Sequence, residues 1–184
     1  MIENNFRYNR SLVRNLVELE RALSFRNSVN ELARTALQTN WSFFSYAYLA
    51  MFDAMIFHAI KILDKHKDAA SFWYIWNCNQ KVVNAFIKIH NLSLDDVNSL
   101  SVKLKIIRDK THFHIDKSAI FNPRAVWEEA NISGNEFNKV LDNLWEVLRE
   151  LYFEQFGKNF NQPIYAGEDI ENIISAVLDK GFIV

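Results

Sequence analysis

Residues 133–157 read SGNEFNKVLDNLWEVLRELYFEQFG, and this stretch decides the fold class. Ser133 and Glu136 stand at the S-x-x-E spacing of a capping box, in which the serine hydroxyl takes up a free N–H of the first helical turn. Behind it Phe137, Val140, Leu141, Leu144, Leu148, Leu151 and Tyr152 recur every three or four residues, and Gly157 supplies a stop. The pattern predicts a long amphipathic helix. The same period fills the chain upstream. Ser93, with Asp95 and Asp96 in the first turn, opens a helix through Val97, Leu100, Leu104 and Ile107 that delivers Arg108. Ser71 opens another through Phe72, Trp73, Ile75, Trp76, Val82, Val83, Phe86 and Ile89, ending near His90 and Asn91. Asn40 caps a helix that presents Phe44, Tyr48, Met51, Phe52, Met55, Ala59 and Ile62 before Asp64. Leu12, Leu16, Leu19 and Leu23, followed by a second start signal at Ser28-x-x-Glu31, predict one long or broken helix over about 9–38. Asn122-Pro123 starts a short helix that ends near Ala130, and Ile170, Ile173, Ile174 and Val177 mark a last one over 168–180 with Gly181 as its stop.

Composition agrees. Gly 4 and Pro 2 make six of 184 residues, where average usage would give about 22. That scarcity excludes turn-rich β folds and glycine-rich phosphate loops. With 49% hydrophobic, 14% aromatic and 23% charged residues the chain is no disordered polymer. The expectation is an all-α fold in a single domain over 1–184: an up-and-down bundle of four or five principal helices, its core at about 40–157, with additional short helices. Residues 35–52 carry no charge, but Gln38, Asn40, Ser42 and Ser45 interrupt them and Asp53 follows, so a buried core helix is expected rather than a membrane span. The N-terminal MIENNFRYNR has no apolar signal region, and the single Cys78 has no partner for an intrachain disulfide, which together predict a cytoplasmic protein. A net charge of -1 advertises no global field for nucleic acid, although a local patch remains open.

The densest polar cluster is RDKTHFHIDK, residues 108–117, at the end of the helix that begins at Ser93. It gathers a permanent guanidinium, two imidazoles and two carboxylates. Lysines and histidines at a helix C-terminus also favour the dipole, so a solvated helix end is the plain alternative to a site. On an ideal helix His112 adjoins Arg108, whereas His114 lies about 120° away. Either the helix loosens after Arg108 or His112 shares the role of His114.

Arg108, the polar Asp109, four further residues and His114 resemble the R-x(4 to 6)-H motif of the HEPN superfamily. The surrounding pattern, an aromatic helix ending Ile62-Leu63-Asp64, then Ser71-Phe72-Trp73, then IRDKTHFHIDK, is similar to its AbiU-like abortive-infection subgroup over residues 40–150. The resemblance implies a four-helix bundle that dimerises and a metal-independent toxin or phage-defence ribonuclease whose Arg and His line a cleft between two protomers. It assigns Arg108 and His114 as the catalytic pair and Asp109 as the residue supporting Arg108; His112, by its place on the helix, and Asp116, as a carboxylate able to orient either partner, are candidate accessory groups beside that assignment. RNA is then the substrate, a second copy of the chain the partner, and a cognate antitoxin a candidate partner; no cofactor or membrane is implied. Members paired with a minimal nucleotidyltransferase antitoxin often carry Tyr two positions after the motif His. Asp116 stands there, so the resemblance does not extend to regulation through that tyrosine.

These residue types suit RNA cleavage by the 2'-hydroxyl. An imidazole near neutral pKa moves the proton, and an Arg fork holds the phosphoryl charge. A non-catalytic HEPN-like module binding nucleotide, RNA or a protein partner is the alternative, and a dimerisation scaffold requires only the bundle. His112, His114 and Asp116 would offer three metal-ligand types, but no second ligand group stands at metal spacing, so no metal is expected. His58 reads as a satisfied core or interface histidine, His66 and His90 as solvated, Cys78 as a small buried apolar residue, and Trp73 and Trp76 as core rather than base-stacking platforms.

Overall fold

A computed structural model describes residues 2–34, 42–112 and 122–179. The described chain is all-helical, with no strand among those residues. The described helices comprise four long ones, α1 (Ile2–Ala33), α2 (Ser42–Leu63), α5 (Leu94–Ile107) and α7 (Gly134–Phe156), and the shorter α3 (Phe72–Cys78), α4 (Gln80–Ile89), α6 (Pro123–Ala130) and α8 (Glu168–Asp179). A π-helical turn, Arg108–His112, continues α5. The long helices close a cycle: α1 packs on α2 and α7, and α5 packs on both of those. Leu12, Leu16, Leu19 and Leu23 of α1 meet Ile62 and Leu63 of α2, Leu100 and Leu104 of α5, and Leu144 and Leu148 of α7 in one core.

Three of the start signals and one stop act as read, while the buried Ser71 hydroxyl makes no cap bond among the described residues. The Asp96 N–H donates to Ser93 Oγ (3.0 Å), Ala125 N–H to Asn122 Oδ1 (3.2 Å) and Glu136 N–H to Ser133 Oγ (3.1 Å). Gly157 ends α7 at φ 65, where a residue with a Cβ is strained. The box at Ser133 is only half closed, because the Glu136 carboxylate turns outward to Ser99 Oγ (3.1 Å) and Lys103 Nζ (2.6 Å) on α5. Ser133→Ala therefore removes one cap bond and leaves the cross-helix clamp. It is expected to cost about 1 kcal/mol and to lower the midpoint of thermal unfolding by about 2–4 °C.

Other expectations are corrected. The helix opened by Ser71 is two helices, broken at Asn79 (φ -149, ψ 59), whose N–H still donates to the Ile75 and Trp76 carbonyls. Aromatic periodicity passes straight through this break, while the polar run Asn77-Cys78-Asn79 competes with the backbone ladder. The break leaves Cys78 exposed rather than buried. Trp73 and Trp76 are half-buried at the rim of the core, their indole N–H groups on Ser101 Oγ (3.1 Å) and Asn84 Oδ1 (2.9 Å). Ser28 does not restart α1; its hydroxyl donates to the Ser24 carbonyl inside an unbroken helix. His90 is half-buried, and its Nε2 is buried without a hydrogen-bond partner among the described residues. Asn40 and Gly181 lie outside the described residues.

Helix α2 is long and apolar enough, by length and composition, to cross a membrane. Its C-terminal half is core, with Met55, Ile56, Ala59, Ile60, Ile62 and Leu63 buried. Its N-terminal half departs from the expected buried helix: Phe44 is buried against Leu32 and Ile174, but Phe43 (74% exposed), Tyr46 (73%) and Leu49 (51%) face outward.

Candidate functional site

Arg108 follows directly on α5, whose leucines fix its height against the end of α2. The helix does loosen here: residues 108–112 take the wider i→i+5 turn, a form common at functional sites. The Thr111 hydroxyl donates to the Ile107 carbonyl (2.7 Å), and Lys110 pairs with Glu129 of α6, tying the turn to its neighbour.

Two carboxylates hold the guanidinium. Arg108 Nε donates to Asp109 Oδ1 (2.7 Å) and Nη1 to Asp64 Oδ1 (2.9 Å) at the end of α2. The hydrogen bond to Asp109, aided by the charge of Asp64, outweighs partial burial and raises the Arg108 pKa, so the cation is permanent. Asp64 Oδ1 also accepts the His66 N–H (2.9 Å), which turns the chain into the loop leading to α3. Asp109 therefore lies in contact with the guanidinium that the resemblance has it support. Asp64 was missed as a site residue, since it stands 44 positions from Arg108 and no local spacing connects them.

Arg108 opens on a cleft of about 410 Å³ between α5 and the loop after α2. Leu63 and Leu104 line its apolar part, and Lys65, Lys67 and Lys105 join Arg108 as its cations. Lys65 lies over the Trp73 ring (4.3 Å) and reaches the Asn98 side chain. A small anion with an apolar body fits this lining: phosphate on the cations, a flat group against the leucines. His114 and Asp116 lie outside the described residues, and of His112 only the backbone lies within them. No group of three or more metal-ligating side chains gathers among the described residues.

A second charged cluster lies inside the fold. Glu18 of α1, 3% exposed, meets His58 Nδ1 (2.6 Å) and Lys61 Nζ (3.3 Å) of α2, and Arg14 Nη2 (2.6 Å) on its own helix. Phe25 stacks on the imidazole at 5.7 Å, so His58 is the satisfied core histidine expected. Burial pushes the Glu18 carboxyl up, but the bond from His58 and the Lys61 charge prevail and hold it below its usual value. Burial holds His58 below its usual value against the opposing pull of Glu18. Both shifts act in one direction. Below pH 6.5, the ordinary imidazole value, the unfolded chain takes up a proton that folded His58 refuses; below 4.5 the same holds for Glu18. Stability is therefore expected to fall as pH drops from 6.5 toward 4. Urea unfolding followed across pH checks this, and His58→Gln should remove the upper part of the slope.

No family model, curated protein or solved structure matches the chain.

Proposed function

We propose that the protein is a metal-independent endoribonuclease of the HEPN type, serving as a cytoplasmic toxin or phage-defence factor. The observation that carries the reading is a permanent cation, Arg108, braced by Asp64 and Asp109 at the edge of a lysine-lined cleft and followed in the sequence by His112 and His114. His114 takes the proton from the 2'-hydroxyl, whose oxygen attacks the adjacent phosphorus. Arg108 holds the charge gathering on the phosphoryl oxygens. The 5'-oxygen leaves with a proton, and a 2',3'-cyclic phosphate remains. A single Arg and His make a sparse site, so two copies facing one another across a two-fold axis complete it. The outward Phe43, Tyr46 and Leu49 offer apolar surface for that pairing, and a cognate antitoxin is a candidate regulator.

One observation favours a second reading. The Arg108 fork already has two carboxylate partners, which also suits a static clamp in a HEPN-like module that binds nucleotide, RNA or a protein without cleaving. Incubation of the purified protein with total RNA in EDTA decides between them, beside an Arg108→Ala, His114→Ala double variant. Cleavage by the native chain alone supports the enzyme. Oligonucleotide binding without cleavage supports the module, and cleavage that returns only with a divalent ion makes His112, His114 and Asp116 the ligands to test.

A further inference from the structure

Helix α1 lies outside the stretch that resembles the HEPN pattern, yet it carries four exposed arginines. Arg7, Arg10, Arg14 and Arg21 are all exposed. At 100° per residue they fall within about 60° of one another, along about 21 Å of helix. Over residues 5–21 the only carboxylates are Glu18 and Glu20, both buried; Glu18 pairs with Arg14 (2.6 Å) and Arg21 (3.8 Å), so the arginine charge of this face is partly compensated from beneath. Beside the arginines runs an open groove of about 730 Å³, where Phe6 (59% exposed), Val13, Val17 and Phe156 are apolar and Arg10 and Arg14 supply the cations. Arg10 already places its guanidinium carbon 5.2 Å from the centre of the Phe6 ring. Asn9, also in the groove, holds a buried amide oxygen with no hydrogen-bond partner among the described residues.

The groove and the Arg108 cleft share one loop. Lys65, His66 and Lys67 line the cleft and Ala70 lines the groove, while the Asn15 side-chain amide pins the Ala70 carbonyl to α1 at 2.6 Å. We infer that the α1 groove is a docking track for single-stranded RNA. Phosphates lie along the arginines and an unpaired base stacks on Phe6, with the strand passing over the 65–70 loop into the Arg108 cleft. The inference rests on the RNA-cleaving reading for the identity of its ligand. Arginine forks beside an exposed aromatic face match a phosphate backbone carrying unpaired bases, and the lysines of the loop continue the cation series toward the cleft. A duplex keeps its bases stacked inside and has none to offer Phe6.

The test uses a fluorescein-labelled 2'-O-methyl RNA of about 12 nucleotides, which has no free 2'-hydroxyl and stays intact while bound. Anisotropy across a salt series gives affinity and the slope of log K against log salt. The single strand is expected to bind more tightly than the matching duplex. Arg10→Ala with Arg14→Ala should reduce the slope by about 1.4, two phosphate contacts' worth, and Phe6→Ala should weaken binding about tenfold. Arg124→Ala, on exposed α6, serves as the distant control. Because Arg14 also pairs with Glu18, Arg10→Ala alone, with a slope change of about 0.7, carries the test if the double variant unfolds. Unchanged slope and affinity in these variants, or equal binding of the duplex, overturns the track, as does a groove that takes only an acidic peptide. Cleavage of total RNA separates the two readings. Binding through α1 with no cleavage keeps the track and ends the ribonuclease reading, whereas cleavage with α1 variants indistinguishable from native does the reverse.

Discussion

Arg108→Ala is expected to lower RNA cleavage by about 10²- to 10³-fold, the usual consequence of removing one preorganised donor from a developing oxyanion. A guanidinium offers five N–H donors, and Asp109 and Asp64 each engage one, which leaves three for a phosphate. The two carboxylates fix the plane of the fork before substrate arrives, so the donors need no reorganisation as charge builds. Arg108→Lys keeps the charge but loses both the fork and its double bracing, and it should remain clearly impaired. His114→Ala removes proton transfer and should cost about 10²- to 10⁴-fold. Asp64→Asn gives a finer reading. It keeps the shape and weakens the brace, so kcat should fall more than KM rises if Asp64 acts by positioning Arg108. Cleavage rates for Arg108→Ala within tenfold of native, in a protein that melts normally, would remove Arg108 from the mechanism.

The largest effect on stability is expected at Phe72. This ring opens α3, is fully buried, and stands edge-on to Trp73 with centroids 5.4 Å apart. Phe72→Ala empties that volume in the main core and should cost about 3–5 kcal/mol, a large share of the 5–15 kcal/mol typical of a whole domain. At about 2–4 °C per kcal/mol the melting midpoint falls by about 10 °C. Trp76→Ala, at the half-buried rim, should cost distinctly less, although the side chain is larger. The contrast is the measurement. Equal losses at both positions would mean that α3 packs as one unit whatever the burial of its individual rings.

Local chemistry explains what could be read from the sequence. Ser93, Asn122, Ser133 and Gly157 act on N–H groups or carbonyls within a turn of themselves, so their spacing alone identifies them. Arg108 and Asp109 are neighbours in the chain, but their pairing was expected from the family resemblance rather than from spacing. Asp64 was hidden because its partner arrives through the packing of α5 on α2, and packing leaves no trace in spacing. Apolar character misled at the start of α2, where Phe43 and Phe44 read alike and yet differ from largely exposed to buried. Cys78 was misplaced for a similar reason. Its burial depended on whether the helix continued through Asn79, and an aromatic repeat on both sides concealed the break.

The π turn at Arg108–His112 bears on how such a chain can change over generations. An i→i+5 turn holds one residue more than the α ladder requires, so the polypeptide here carries a built-in insertion. Losing one residue from the turn lets the i→i+4 ladder close, while α5 keeps its leucines in register with the core. Gaining one adds to a segment that is already wound loosely. The number of residues after Arg108 is thus free to drift without disturbing the core leucines, and comparisons between relatives should look for length differences at this turn before looking for substitutions.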